Sequence, residues 1–421
     1  MPCAAREGSI IDADQNRIAS LDVIRGVAVM GILVANMPGF ALPAPAYFSP
    51  LASGGTGQAD LTAWFATFVL IEGKMRGLFT FLFGASMLLV VERAEAAGRS
   101  GAAVHFSRMA VLLLIGLAHR YFVWWGDILA HYALVGAIAY LFTRLDARQL
   151  LAAGLVALGA TLAWNALTWS TLLWAGARST PAQVETWNNF AWAFGVPPRE
   201  WTESELLAMR GEWWDQVRWR WAYLESEWSF LKSVGSETLA AMLLGMAAFR
   251  SGFLTGEWSR ESYRRFALWA LAVTFAAYVL LGLNSLRHGF DQRWVFFDSI
   301  VATVPFRVLG AAGYSALIIL LLRPGGWLTE RMGAVGRAAF SNYLGTSLIV
   351  TGIFYGWGLG LFGSLSRAQL YAVPPLVWLL MVTWSKPWLD RYRYGPLEWL
   401  WRSLSRARLE PLRRAAASGS T

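Results

Sequence analysis

His119 and Asp127 are the two residues in this sequence best spaced to do chemistry together. They lie within the run Gly116-Leu117-Ala118-His119-Arg120-Tyr121-Phe122-Val123-Trp124-Trp125-Gly126-Asp127-Ile128-Leu129, where one apolar stretch ends and the next begins. A tight turn there brings the carboxylate back onto the imidazole. A carboxylate holding one ring nitrogen fixes the tautomer and raises the basicity of the other, as a general base requires. Arg76 or Arg307 would then stabilise an oxyanion or bind an anionic substrate. A lone histidine at a helix end is also an ordinary structural hydrogen-bonder, and that plainer reading stands beside the catalytic one.

Other ionisable residues fall inside apolar stretches, where insertion costs about 2.5 kcal/mol or more per charge. Asp22 and Arg25 are three apart and share a helix face, with Asn36 about three turns further along it. The same pair also reads as a helix-start ion pair with Ser20 as the cap. Glu72, Lys74 and Arg76 cluster before the second long apolar run, and His131, Glu237, Asp298, Arg307 and Asn342 are spread over later ones. The catalytic candidates are therefore His119, Asp127 and Asn36. The binding candidates are Asp22, Arg25, Glu72, Lys74, Arg76, Arg307 and Asn342. The four histidines show no metal-ligand spacing and Cys3 is the single cysteine, so no metal site or disulfide framework is expected. Walker and dinucleotide fingerprints are absent, and the glycines suit turns and close packing.

The elements that must position these residues are membrane helices. Of 421 residues, 56% are apolar and 15% charged, against about 25% charged in a soluble domain; mean hydropathy is +0.42. That balance excludes a disulfide scaffold, a coiled coil, a disordered chain and an ordinary cytosolic enzyme. The expectation is an all-α polytopic protein with ten spans, at 18–40, 74–92, 105–123, 127–143, 149–175, 233–250, 264–283, 297–322, 338–356 and 370–387. The apolar run 61–71 is too short to cross and predicts an interfacial or broken helix. With both termini in the cytoplasm, inner segments hold 22 Lys and Arg and outer ones 10, six of the latter in one long loop. The net charge of +9 is then topology, with no nucleic-acid partner implied. The polar first 17 residues lack a signal-peptide core.

This topology puts Glu72, Lys74, Arg76, His119, Asp127, His131, Glu237 and Asp298 in the outer half of the bilayer, consistent with a shared outward polar cavity. Asp22, Arg25 and Asn342 fall at the opposite face. The outer loop 176–231 carries eight of the 24 tryptophans. It predicts either an amphipathic helix on the outer leaflet or an aromatic lid able to stack on sugar rings or lipid. The 388–421 tail is basic and predicts an inner-leaflet anchor.

Several strings in order resemble the YeiB-like family of bacterial inner-membrane proteins of unknown function. They are Arg17-Ile18-Ala19-Ser20-Leu21-Asp22-Val23-Ile24-Arg25-Gly26, the stretch ending Leu82-Phe83-Gly84, Gly126-Asp127-Ile128-Leu129, Ser341-Asn342-Tyr343-Leu344, Tyr355-Gly356-Trp357-Gly358 and Arg393-Tyr394-Gly395-Pro396-Leu397-Glu398-Trp399-Leu400-Trp401-Arg402. The likeness covers about 17–405. More distantly, the Leu-Asp-x-x-Arg-Gly opening is similar to that of transmembrane acyltransferases, including the heparan glucosaminide acetyltransferases. That resemblance implies an acyl group moved from a cytosolic acyl-CoA-type co-substrate to an extracytoplasmic glycan, lipid or amine, with no resident cofactor. The polysaccharide branch has a catalytic histidine eleven positions after this arginine; here, as in the heparan branch, the place is an asparagine, Asn36. The heparan branch also has a histidine in the first outer loop, where this chain has none over 37–60 and Tyr47 stands near its place.

Three functions fit the sequence. An acyltransferase needs a continuous path from Arg25 to His119 and a pocket for the donor's pantetheine arm. A transporter, exporter or flippase needs two alternately open states. A non-catalytic envelope protein that binds lipid or a partner needs neither and tolerates loss of His119. The lipid bilayer is the expected partner in every case, with a second copy of the chain as a further candidate.

Overall fold

The computed structural model describes residues 11–12 and 17–414. The polar opening with Cys3 and Arg6, residues 13–16 and the tail end 415–421 lie outside the described residues. Apart from a two-residue strand pairing of Ile11–Asp12 with Arg17–Ile18, the described chain is helical. In order the helices are α1 (Ala19–Ala41), α2 (Gln58–Leu70), α3 (Lys74–Ala96), α4 (Gly101–Phe122), α5 (Leu129–Ala139) and α6 (Ala147–Ala175). Next come α7 (Pro181–Phe194), α8 (Arg199–Arg210), α9 (Trp213–Tyr223), α10 (Glu227–Arg250), α11 (Arg260–Arg287) and α12 (Gln292–Phe296). The chain closes with α13 (Val304–Leu321), α14 (Trp327–Arg337), α15 (Ala339–Phe354), α16 (Arg367–Leu370), α17 (Val373–Arg391) and α18 (Pro396–Ser405).

Helix occupies each of the ten expected stretches, and seven segments are long and apolar enough to cross a membrane: α1, α2–α3 together, α4, α6, α11, α13 and α16–α17. Two more, α5 with its 3-10 extension to Phe142 and α15, are apolar but shorter. Helix α10 is 24 residues long but carries Glu227, Lys232, Glu237 and Arg250. The short run 61–71 lies in α2, and the chain breaks between α2 and α3 at Gly73, whose φ of 71° is the left-handed conformation that glycine adopts without strain. A π-helical turn, Phe297–Val301, joins α12 towards α13.

Helix α1 is the buried centre, with 72% of its apolar window covered. Around it the helices meet backbone to backbone, because lipid supplies no hydrophobic force to press them together and close packing must do so. On α3 and α10, a Cβ at Gly84 would lie 2.1 Å from the Met242 carbonyl oxygen, and one at Gly245 would lie 1.9 Å from that of Phe81. The glycine of the Leu-Asp-x-x-Arg-Gly string has the same purpose: a Cβ on Gly26 would lie 2.3 Å from Met332 O on α14, and one on Gly336 1.8 Å from Asp22 O. Ser20 is not a cap. It lies inside α1, where an exposed N-terminal turn would be needed for capping, and donates to Leu254 O at 2.6 Å.

The Trp-rich segment 176–231 forms three helices, α7, α8 and α9, folded over the ends of the bundle. Capping-box Thr180 with Gln183 and Pro181 at the first position start α7. The piece is pinned by Arg210 Nε to Phe362 O at 2.7 Å, Trp213 Nε1 to Phe122 O at 2.8 Å and Gly356 N to Met209 O at 2.8 Å. At the other end the basic tail folds back as far as Arg414: Trp401 Nε1 donates to Arg108 O at 3.0 Å and Arg393 N to Leu412 O at 2.9 Å.

Candidate functional site

His119 sits in the last turn of α4, which ends as Val123 N and Trp124 N both donate to its carbonyl oxygen at 2.9 Å. The chain returns at once into α5, and the two helices touch because Gly116 has no side chain: a Cβ there would lie 2.2 Å from Ala130 N. The return sets Asp127 Oδ1 2.7 Å from His119 Nδ1, while Asp127 Oδ2 accepts from Ala130 N at 2.9 Å. An ionised carboxylate only accepts, so Nδ1 carries the proton and Nε2 presents its lone pair. His119 is 4% exposed and Asp127 3%, and Nε2 is buried without a hydrogen-bond partner among the described residues. Trp124 stacks on Phe40 with centroids 3.8 Å apart and donates to Gly39 O at 3.1 Å, locking this turn to the end of α1. The Tyr343 ring from α15 lies 5.6 Å from that of His119.

On α1, Asn36 accepts from the Tyr47 hydroxyl at 3.4 Å, the 3-10 turn Ala44–Tyr47 bringing that ring back to the helix. Tyr47 interacts electrostatically with Glu72, Arg76 and Arg307 and, through Tyr343, with the Asp127 environment.

A second group is built on Glu237 of α10. Arg307 Nη1 holds both its oxygens at 2.8 Å and Arg76 Nη2 holds Oε1 at 3.0 Å. Arg307 also donates to Ser299 O. Both guanidiniums thus pair with one carboxylate, Arg307 buried and Arg76 through one nitrogen while it remains about a third exposed. Buried charges persist in this way only when paired. Lys74 is fully buried and likewise structural. It donates to Phe68 O at 3.1 Å and Glu72 O at 3.0 Å, closing the α2–α3 break, with Nζ 3.1 Å from the Tyr278 ring centroid. Glu72 is half-buried within electrostatic reach of Arg307, Arg76 and Lys74.

The remaining candidates are dispersed. His131 Nε2 meets Thr238 Oγ1 at 2.9 Å, and Asp298, in the π turn, is held by Ser285 Oγ at 2.6 Å and Asn284 Nδ2 at 3.0 Å. His131 lies within electrostatic reach of Arg76, Glu237 and Arg120, so it borders the Glu237 group, whereas Asp298 stands apart from it. Arg25 pairs with Asp22 at 3.1 Å and also donates to Ser86 Oγ at 2.9 Å, both partners remaining partly exposed. Asn342 is fully engaged, donating to Val335 O and Ser385 Oγ and accepting from Trp384 Nε1 at 2.9 Å.

Sequence reasoning missed three residues in and against the α7–α9 piece. Glu205 is fully buried and receives Ala44 N–H on both oxygens, at 3.2 and 3.0 Å; burial pushes its carboxyl up to about 8. Arg220 is fully buried, with Nε donated to Tyr121 O at 2.8 Å. Tyr355 is fully buried and near enough to interact with both. The one signal for Arg220 was its helical spacing with Gln216, which reads equally as a solvated face.

Residues 248–408 match the family described as "Protein of unknown function (DUF418)". The chain is 32% identical over 413 residues to the uncharacterized protein YeiB of Escherichia coli strain K12, covering 92% of this chain and 96% of that one. It is 29% identical to the uncharacterized protein YxaH of Bacillus subtilis strain 168, covering 94% and 96%. It is 23% identical to an uncharacterized 39.9 kDa protein in the amylase 3′ region of Bacillus acidopullulyticus, covering 94% and 96%.

Proposed function

The chain belongs to the YeiB-like family of proteins of unknown function, and we propose that it is a membrane-embedded acyltransferase of the bacterial inner membrane. Its donor is a cytosolic acyl-CoA-type thioester and its acceptor a hydroxyl or amine on an extracytoplasmic glycan, lipid or small molecule. The observation that carries this reading is the dyad: His119 Nδ1 is held 2.7 Å from Asp127, Asp127 is itself fixed by Ala130 N–H, and Nε2 is buried without a partner among the described residues. In the reaction, Nε2 takes the acceptor's proton as its oxygen or nitrogen bonds to the thioester carbon. The C–S bond then breaks, and the imidazolium returns the proton to the leaving thiolate. Asp127 stabilises that imidazolium. Asn36, its Oδ1 held by the Tyr47 hydroxyl, supplies a hydrogen bond from Nδ2 to the oxyanion, and Asp22, Arg25 and Ser86 form the donor's entry at the cytoplasmic side.

The test is release of free thiol from acetyl-, butyryl- and palmitoyl-CoA by the protein in proteoliposomes made with envelope lipid extract. His119→Gln should lower the rate about 10²- to 10⁴-fold with thermal stability preserved. Equal rates in wild type and variant, or no thiol release with any donor, would sink the proposal. A transport reading is favoured by one observation, the buried Arg76–Glu237–Arg307 group, since intramembrane charge networks mark substrate and proton paths. It would be supported by proton-coupled uptake in the same vesicles that is lost in Glu237→Gln.

A further inference from the structure

Arg220 lies on α9, where the α7–α9 piece meets α4, and has no salt bridge within the described chain. Its side chain is fully buried. Nε is spent on the Tyr121 carbonyl, two residues along α4 from His119. The other two nitrogens, Nη1 and Nη2, are each buried without a hydrogen-bond partner among the described residues. So is the hydroxyl of Tyr355, its electrostatic neighbour. Gln216, one turn earlier on α9, gives Nε2 to the Met209 and Gly211 carbonyls at 3.2 Å and leaves Oε1 buried and unpartnered.

A guanidinium stays charged in a protein, and a buried charge is tolerated only with a counter-charge and filled hydrogen bonds. Two other buried arginines have a counter-charge: Arg307 has Glu237 at 2.8 Å and Arg120 has Glu227 at 2.8 Å. Glu205, which shares Tyr355 as a neighbour, is spent on Ala44 N–H, and with its carboxyl raised to about 8 it is largely protonated at neutral pH. No carboxylate in the described chain is placed against Arg220. The free edge of the fork is the Nη1/Nη2 end, whose paired donors match two oxygens of a carboxylate or phosphate.

We propose that Arg220 Nη1 and Nη2 with the Tyr355 hydroxyl form an enclosed binding site for one oxyanion, a carboxylate or phosphate group, under the outer helices. Gln216 Oε1 accepts from a protonated ligand oxygen or an accompanying water. The site is independent of acyl transfer. It would serve an anionic substrate group, an anionic lipid headgroup or a free anion with the same contacts.

The experiment is thermal unfolding of the full-length protein in detergent, in Bis-Tris propane chloride, titrated with sodium phosphate, sodium acetate or short-chain phosphatidylglycerol. Sodium chloride at matched ionic strength is the control. Wild type should gain a saturable rise in melting temperature with at least one oxyanion and not with added chloride, because a ligand that binds only the folded state stabilises by mass action. A response to phosphatidylglycerol alone identifies a headgroup, and one to phosphate or acetate a free anion. Arg220→Gln should abolish the response, yet melt no lower than wild type without oxyanion, since it removes an uncompensated charge. Tyr355→Phe deletes one hydroxyl and should weaken binding about tenfold. Arg199→Gln, at an exposed site, should leave it unchanged. The proposal is overturned by a flat wild-type titration with all three oxyanions, by an equal response to chloride, or by a response that survives both Arg220→Gln and Tyr355→Phe.

Discussion

Replacing Glu237 with glutamine should strand two guanidiniums that now share one carboxylate. Arg307 meets it through two contacts of 2.8 Å and is 3% exposed; Arg76 meets it at 3.0 Å and is 34% exposed. At an effective dielectric of about 20, charge centres about 4 Å apart attract by about 4 kcal/mol. Solvent screening cuts the half-exposed Arg76 contact to about 1 kcal/mol. Removing the shared carboxylate also leaves Arg307 buried without a counter-charge, so Glu237→Gln should cost about 3–5 kcal/mol. Arg307→Gln leaves Glu237 with Arg76 and should cost less, about 2–3 kcal/mol, and Arg76→Gln about 1 kcal/mol. The double variant Glu237→Gln/Arg307→Gln should fall short of the sum by about 2 kcal/mol. The assay is reversible unfolding in mixed micelles with rising dodecyl sulfate fraction, followed by tryptophan fluorescence. A cost for Glu237→Gln below about 1 kcal/mol, or additivity within about 0.5 kcal/mol, would refute the pairing.

Glu205 predicts a pH dependence of opposite sign to an ordinary ion-paired carboxylate. Its carboxyl moves from 4.5 to about 8 on folding, so between those values the folded state holds a proton that the unfolded state lacks. Stability from this residue is full below pH 4.5 and is lost as pH rises through about 8, a slope that Glu205→Gln should flatten in melting scans. At the α3–α10 crossing, Gly245→Ala places a Cβ 1.9 Å from the Phe81 carbonyl oxygen and should cost about 1–3 kcal/mol by the same unfolding assay. Gly159→Ala meets nothing within 4 Å and should be neutral or stabilising by up to about 1 kcal/mol. Glu398 on α18 accepts Phe340 N–H at 2.7 Å and Ser341 N–H at 3.1 Å, an N-terminal cap for α15 supplied from another helix. Glu398→Gln should cost about 1–2 kcal/mol and speed amide exchange at 340–343, read by mass spectrometry.

What could be read in the sequence was whatever depends on neighbours in the chain. Membrane helices announce themselves by apolar length, and the His119–Asp127 contact closes over eight residues, through a turn with a glycine on the helix side. Partners far apart in sequence were a different matter. Arg76 and Arg307 are visible as costly charges, but that Glu237 neutralises both depends on how α3, α10 and α13 cross, separated by 161 and 70 residues from it. Taken alone, each guanidinium looked like a free anion binder. Ser20 likewise sat where a cap belongs by local pattern, and its true partner is Leu254, 234 residues on. The fold of segment 176–231 depends on distant partners in the same way. Its indoles satisfy the composition of an interfacial helix, yet Trp213 spends its N–H on Phe122 O, 91 residues back, and Trp219 is 6% exposed.

The distinction between a charge that holds the fold and one that awaits a ligand therefore lies in the balance around it, not in its residue type or depth. Arg307, Arg120 and Arg220 are all arginines at most 5% exposed. Two of them meet a carboxylate of the same chain at 2.8 Å, and folding already collects their electrostatic return. Arg220 has only carbonyl and phenol oxygens about it, from Tyr121 and Tyr355. Beyond those dipoles its desolvation is met by no opposite charge within the described chain, which is what the proposed oxyanion would supply. The same logic applies to His119. Asp127 satisfies one ring nitrogen from inside the fold, and the other, equally buried, faces no protein donor. Two groups with an unfilled hydrogen-bonding position, the His119 ring and the Arg220 guanidinium, flank the C-terminal end of α4. A substrate that carries both a transferable proton and an anionic group would fill the two together. That makes the oxyanion titration, repeated on His119→Gln, the direct measure of whether the two sites share one ligand: a common ligand loses affinity in both variants, and separate ligands leave the titration of His119→Gln unchanged.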